Sequence, residues 1–185
     1  MRWEQLFRDL EAQIEAAQAA ELDAEVADRT RRESALLAFA DRARGGTGAR
    51  VTVQVRGGGT VEGVLLEVGS EWLLLAEDGG RDAVLPLAAV LSLSGLGRWT
   101  AAAAPAGSVT ARLGLGSALR GIARDRVAVS LELADGRVLS GTVDRVGADF
   151  LELSAHGVGE ARRSAEVSGV RTVPLAALVV VRRAL

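Results

Sequence analysis

The sequence has no cysteine and only one histidine, His156. Without cysteine there is neither a disulfide framework nor a thiolate metal site, and a single histidine cannot form a histidine cluster. Tyrosine is also absent, and aromatic residues make up 3% of the chain. Transition-metal chemistry is therefore nearly excluded, and the composition predicts no cofactor.

Long apolar runs are missing as well. The stretch from Leu175 to Val181 is followed at once by Arg182 and Arg183, so it falls short of the 18 or more apolar residues of a membrane span. Asp9 and Glu11 lie where a secretory signal needs an unbroken apolar segment. We therefore expect a cytoplasmic protein that does not contact a membrane.

Lysine is absent, so all 22 basic residues are arginine, and the net charge is −2. Residues 1–48 and 49–97 each carry −3, residues 98–126 carry +4, and residues 127–185 are neutral. The basic excess is thus confined to one connector. Because whole-domain nucleic-acid binders usually have a strong positive balance, this distribution argues against long-range recruitment of a polyanion.

The N-terminal residues have the periodicity of an amphipathic helix. Apolar side chains recur three or four residues apart, at Trp3, Leu6, Phe7, Leu10 and Ile14. The segment from Thr30 to Glu33 has the form of a capping box and precedes a second apolar set. Two alternatives stay open: a hairpin that breaks at Thr30, or a single helix that passes through it.

From Val51 onward the apolar period changes to two, which predicts β-strands. An offset of 78 residues aligns this segment with the segment that begins near Val129, and three glycine pairs stay in register: Gly58 with Gly136, Gly63 with Gly141, and Gly69 with Gly147. After a loop that is ten residues longer in the second segment, Pro86-Leu87-Ala88-Ala89 aligns with Pro174-Leu175-Ala176-Ala177. The pattern predicts two diverged copies of one unit with five short strands.

The predicted organisation has four parts: an N-terminal helical segment at 1–48, a first small β-barrel at 49–97, a basic connector with a short helix at 98–126, and a second small β-barrel at 127–185. The connector helix is expected near residues 109–124. Its inward positions are Leu115, Leu119 and Ile122. The predicted fold class is α+β, with tandem five-stranded barrels.

The glycine and apolar positions of both copies, including Gly63-Val64-Leu65 and Gly141-Thr142-Val143, resemble the Sm-like small β-barrel. Taken whole, the chain resembles an actinobacterial protein type. Sm-like RNA binders hold a nucleotide with an Asp six residues after that glycine and an Asn ten residues after it. Those positions are Gly69 and Leu73 in the first copy and Gly147 and Leu151 in the second. The Arg-Gly pair of their second signature is also replaced, by Pro-Leu in each copy. The resemblance therefore implies the fold but not the RNA pocket.

The two copies differ on the second face of their second and third strands. The first copy has Val64, Leu66, Trp72 and Leu74 where the second has Thr142, Asp144, Phe150 and Glu152. A strand that is apolar on both faces needs a cover. We expect the first-copy set to be covered by helix 1–27, by the second barrel or by a second copy of the chain.

The connector arginines form a candidate anion-binding set: Arg98, Arg112, Arg120, Arg124 and Arg126. Salt bridges to the acidic N-terminal segment and first barrel are the alternative. A catalytic role for His156 would need a carboxylate to orient it, and a solvated loop histidine is the simpler interpretation.

The sequence therefore predicts a non-enzymatic interaction or scaffold module, in which the helix mediates self-association or partner docking. An RNA-associated regulator that uses the connector is the second hypothesis, and an enzyme with an unrecognised site is the third. The expected partner is a protein or a second copy of the chain.

Overall fold

The computed structural model describes residues 2–97, 109–155 and 169–184. The chain divides into two compact units, Met1–Ala38 and Phe39–Leu185. The first unit contains one long helix, α1 (Arg2–Ala35). Thr30 lies inside α1, where its hydroxyl donates a hydrogen bond to the carbonyl oxygen of Val26 at 2.8 Å instead of capping a new helix. The segment is thus a single helix through Thr30. Among the described helices, none is long and apolar enough to cross a bilayer.

In its described residues, the second unit contains two short α-helices and ten strands. In chain order these are α2 (Phe39–Arg44), β1 (Arg50–Val55), β2 (Thr60–Val68), β3 (Trp72–Glu77), β4 (Asp82–Pro86), β5 (Val90–Ser94), α3 (Leu115–Asp125), β6 (Ala128–Leu133), β7 (Val138–Val146), β8 (Phe150–Ala155), β9 (Val170–Pro174) and β10 (Leu178–Arg183). Single 3-10 turns at Leu87–Ala89 and Leu175–Ala177 join β4 to β5 and β9 to β10. The predicted connector helix is α3.

The ten strands form one antiparallel sheet in the order β5-β1-β2-β3-β4-β10-β6-β7-β8-β9. The α+β class is therefore confirmed. Within the described residues β5 and β9 are the two edges, so this sheet is not closed. The finer expectation of two five-stranded barrels stays a prediction.

The first five strands and the last five pair in the same registers. Val51 lies opposite Gly63 in β1 and β2, and Val129 lies opposite Gly141 in β6 and β7, 78 residues later. The register of β2 against β3 shifts by one residue beside Leu65, and that of β7 against β8 shifts at the corresponding place. The two sets of strands thus share their bulges as well as their order.

Two aligned glycines lie where the neighbouring strand approaches closely. A Cβ atom on Gly63 would be 2.3 Å from the carbonyl oxygen of Ala76, and a Cβ atom on Gly141 would be 2.2 Å from that of Ser154. Neither position has room for a side chain. This explains why glycine occurs there both in β1–β5, the first half of the sheet, and in β6–β10, the second half.

Two hydrophobic cores lie in the sheet unit, and each contains residues of the other half. Buried side chains of β1–β4 and of α2 form the first core together with Val179 and Val180 of β10. Side chains of β6–β10 and of α3 form the second core together with Trp72 of β3 and Val84 of β4. The second half therefore folds against the first through shared packing as well as through the sheet.

Candidate interaction surfaces

Trp72 fixes the connector against the first half. Its indole Nε1 donates a hydrogen bond to the carbonyl oxygen of Leu113 at 2.9 Å, and the residue is only 5% exposed. Gly69 makes this possible, because a Cβ atom there would be 2.3 Å from the indole Nε1. Buried tryptophan normally needs such a partner for its N–H group. The predicted cover over Trp72 is thus supplied by the connector and the second core.

The other three residues of the expected apolar face have different environments. Leu74 is half-buried and packs against the second core, and Val64 is also half-buried. Leu66 is 43% exposed, because the bulge between Leu65 and Glu67 lies at its position. The structure therefore brings Trp72 and Leu74 together under the second half but leaves Leu66 at the surface.

Glu71, next to Trp72, caps helix α3. Its carboxylate Oε2 accepts a hydrogen bond from the backbone N–H of Leu115, the first residue of the helix, at 2.9 Å. A negative charge at a helix N-terminus is favourable, and the bond satisfies one of the free N–H groups there. Glu71 was not among the predicted site residues, because the helix residue that it caps is distant in the chain. The pattern carried no signal for a cap from another element.

A three-strand ion-pair cluster joins the two halves at the β4–β10 junction. The guanidinium Nε of Arg182 in β10 lies 3.0 Å from a carboxylate oxygen of Glu77 at the end of β3, and Nη1 lies 2.9 Å from Glu132 in β6. Burial lowers the pKa of Arg182, but the hydrogen bonds to Glu132 and Glu77 outweigh this and raise its pKa above the ordinary value. The cation is therefore matched by two partly buried carboxylates.

An open cleft of about 400 Å³ lies beside edge strand β9. The residues that line it are Leu133, Arg137, Leu139, Arg171, Thr172, Val173, Pro174 and Ala177. The sequence did not predict this cleft, since local periodicity does not show which strand lies at the edge of the sheet.

The predicted apolar stripe lies on α1. Trp3, Phe7, Leu10 and Ile14 are all exposed. The side chain of Leu6 lies outside the part of the chain that the structure describes. The stripe is thus a row of large apolar groups on a helix that forms a unit of its own.

The connector arginines are exposed, apart from Arg98, which lies outside the described residues. Arg112, Arg124 and Arg126 form no ion pair within the described ranges, and Arg120 contacts the hydroxyl of Ser117 at 3.5 Å. Within the described residues of the second unit, Arg112, Arg120, Arg124 and Arg126 form none of the alternative salt bridges to residues 49–97. His156 also lies outside the described residues.

Among residues 2–97, 109–155 and 169–184, no group of three or more histidine, aspartate or glutamate side chains is placed to hold a metal ion. Neither a protein-family model nor a curated protein matches this chain.

Proposed function

We propose that this protein is a non-enzymatic interaction and scaffold module that acts in the cytoplasm. In this proposal two diverged copies of a small Sm-like barrel unit form the sheet body, and α1 mediates self-association with a second copy of the chain. Docking of α1 onto a different protein is the alternative outcome of the test.

The exposed stripe on α1 carries this proposal. Helices gain most of their stability from packing an apolar face, and a contiguous exposed patch of large apolar groups usually marks an interaction site. Trp3, Phe7 and Leu10 lie within two turns of each other on one face, and all three are exposed. A second copy presents an identical stripe, so two α1 helices match in length and in apolar character.

The role as a scaffold is supported by the shared cores of the sheet unit. Val179 and Val180 of β10 are buried with residues of the first half, while Trp72 is buried with residues of the second. Because each half completes the core of the other, the two halves are expected to move as one body.

Light scattering during size-exclusion chromatography tests the role of α1. The double variant Phe7→Ser/Leu10→Ser removes two stripe residues. Leu22→Ser/Val26→Ser removes two apolar residues that are at least as exposed and lie on a different face of α1. We expect the first variant to lower the mass of the assembly at equal concentration and the second to leave it unchanged. Equal masses for both variants and the unmodified protein would overturn the role of the stripe.

A second candidate function, association with RNA through the connector, is favoured by the exposed arginines without ion pairs. In a gel shift with bulk cellular RNA, Arg120→Gln/Arg124→Gln should weaken retardation and reduce the salt dependence, by about one counterion per lost phosphate contact. Arg56→Gln/Arg81→Gln, which makes the same charge change in the first half, is the control. No retardation of the unmodified protein at low salt would exclude this function.

A further inference from the structure

Leu91 of β5 and Val179 of β10 occupy corresponding positions with opposite environments. Val53 lies opposite Leu93 in β1 and β5, and its counterpart Leu131 lies opposite Val181 in β6 and β10. Leu91 lies two residues before Leu93, and Val179 lies two residues before Val181. Leu91 is 64% exposed, whereas Val179 is 0% exposed. β10 thus buries a side chain that β5, at the edge of the sheet, presents to solvent.

The burial of Val179 depends on a neighbouring half. It lies in the first core together with Val180 and with buried residues of α2 and β1–β4, which include Val55, Val61, Ala83, Leu85 and, in the turn after β4, Ala89. β10 therefore pairs on one side with β6 of its own half and on the other side with β4 of the first half.

The cleft beside β9 lies at the position in the second half that corresponds to the surroundings of Val179 in the first half. The counterparts of those five first-half residues are Leu133, Leu139, Arg171, Val173 and Ala177, and all five line the cleft. In the first half the corresponding residues share one buried core with Val179 and Val180. In the second half, within the described residues, no strand lies at the outer edge of β9 and the cleft stays open.

We infer that β5 of one copy pairs with β9 of a second copy, as β10 pairs with β4 within the chain, and that Leu91 enters the cleft. This contact rests on the proposed scaffold function and adds to it a second surface, distinct from α1, at which another copy of the chain binds. The contact is heterologous, because the donor strand and the acceptor edge are different surfaces. Repetition of this contact gives a ring or an open chain of copies.

The proposed junction between β5 and β9 of two copies, the outer junction, lacks the ion pairs of the internal junction between β4 and β10. The counterparts of Arg182, Glu77 and Glu132 are Ser94, Ala155 and Gln54, which carry no charge. If β10 took the place of β5 at the outer junction, the guanidinium of Arg182 would have no carboxylate to pair with, and its burial would be unfavourable. Ser94 of β5 is neutral and carries no such cost. The outer junction should therefore be weaker than the internal one and should dissociate on dilution while the chain stays folded.

Two variants each block one side of the junction. Leu91→Arg blocks the donor strand, and Ala177→Trp fills the acceptor cleft. Both are made in the full chain with Phe7→Ser/Leu10→Ser, so that association through α1 does not contribute. Val109→Arg, which places the same charge at an exposed apolar site in the connector, is the control. Thermal melting verifies that every variant is folded.

Sedimentation velocity of each variant and of their mixture gives the outcome. The Phe7→Ser/Leu10→Ser parent and its Val109→Arg control should form head-to-tail assemblies, and each blocked variant alone should sediment as a monomer. An equimolar mixture of the two blocked variants should form a 1:1 heterodimer and nothing larger, since only one donor and one acceptor remain. A parent that is monomeric at all concentrations, or blocked variants that still assemble alone, would overturn the inference. If the unmodified protein associates and the Phe7→Ser/Leu10→Ser parent does not, the role of α1 is supported and the β5–β9 contact is not. The two proposals therefore fail separately.

Discussion

The indole of Trp72 donates a hydrogen bond to the carbonyl oxygen of Leu113 at 2.9 Å, and this bond fixes the connector to β3. The corresponding residue of the second half, Phe150, is half-buried. A Cβ atom on Gly147 would be 2.4 Å from its ring, as one on Gly69 would be from the Trp72 indole. The local geometry is therefore shared, while only Trp72 lies beneath a neighbouring half.

Truncation of Trp72 should be more destabilising than truncation of Phe150. Trp72→Ala removes a buried aromatic group and a hydrogen bond, and large-to-small changes of this kind cost about 3–5 kcal/mol of unfolding free energy. Phe150→Ala should cost clearly less, because the ring is partly solvated. Urea denaturation of both variants measures the difference. Equal losses would contradict the claim that burial beneath the second half makes Trp72 contribute more to stability than Phe150.

Neutralising Glu71 should loosen the start of α3. Glu71→Gln weakens the hydrogen bond to the N–H group of Leu115 and removes a favourable charge at the helix N-terminus, which is worth about 0.5–1 kcal/mol. Hydrogen exchange of the first turn of α3 should become faster. Asp149→Asn, at the corresponding position of the second half, should leave that exchange unchanged. Faster exchange in both variants would contradict a specific cap.

Removing the charge of Arg182 should weaken the β4–β10 junction. Arg182→Met leaves Glu77 and Glu132 partly buried without their cation, and the loss of such charge-assisted bonds costs about 1.5–3 kcal/mol. Chemical denaturation should show this loss. Arg145→Met, which breaks the more exposed pair with Glu152, should change stability far less, because solvent screens that pair.

A further pair of substitutions checks the physical reason for that loss. In a Glu77→Gln/Glu132→Gln background, Arg182→Met should cost much less, because no carboxylate is left uncompensated. An undiminished cost would mean that the packing of the arginine, and not its charge, holds the junction.

Local features of the fold were accessible from the sequence. Alternation at Val51, Val53 and Val55 predicts β1, and the stripe at Leu115 and Leu119 predicts the inward face of α3, where both residues are buried. The aligned glycines lie at the close approaches described above. These features depend on period and on steric fit within one element or one hairpin, which local residue types encode.

Long-range pairing was not accessible from the sequence. Val179 has the same local pattern as Leu91, and only the pairing of β10 with β4 makes one buried and the other exposed. Similarly, Glu71 caps a helix that begins 44 residues later in the chain. Both features arise when the two halves meet, so neither the periodicity of one half nor the comparison of the halves predicts them.

Self-association is best tested by the mass of the unmodified 185-residue chain in solution. Sedimentation equilibrium over a thousandfold range of concentration should show assemblies above the 19.2 kDa monomer, with a mass that falls on dilution. This concentration dependence is expected because, as proposed, both the α1 stripe and the β5–β9 edges bind further copies of the chain. A single 19.2 kDa species at every concentration would contradict self-association and with it the proposed scaffold.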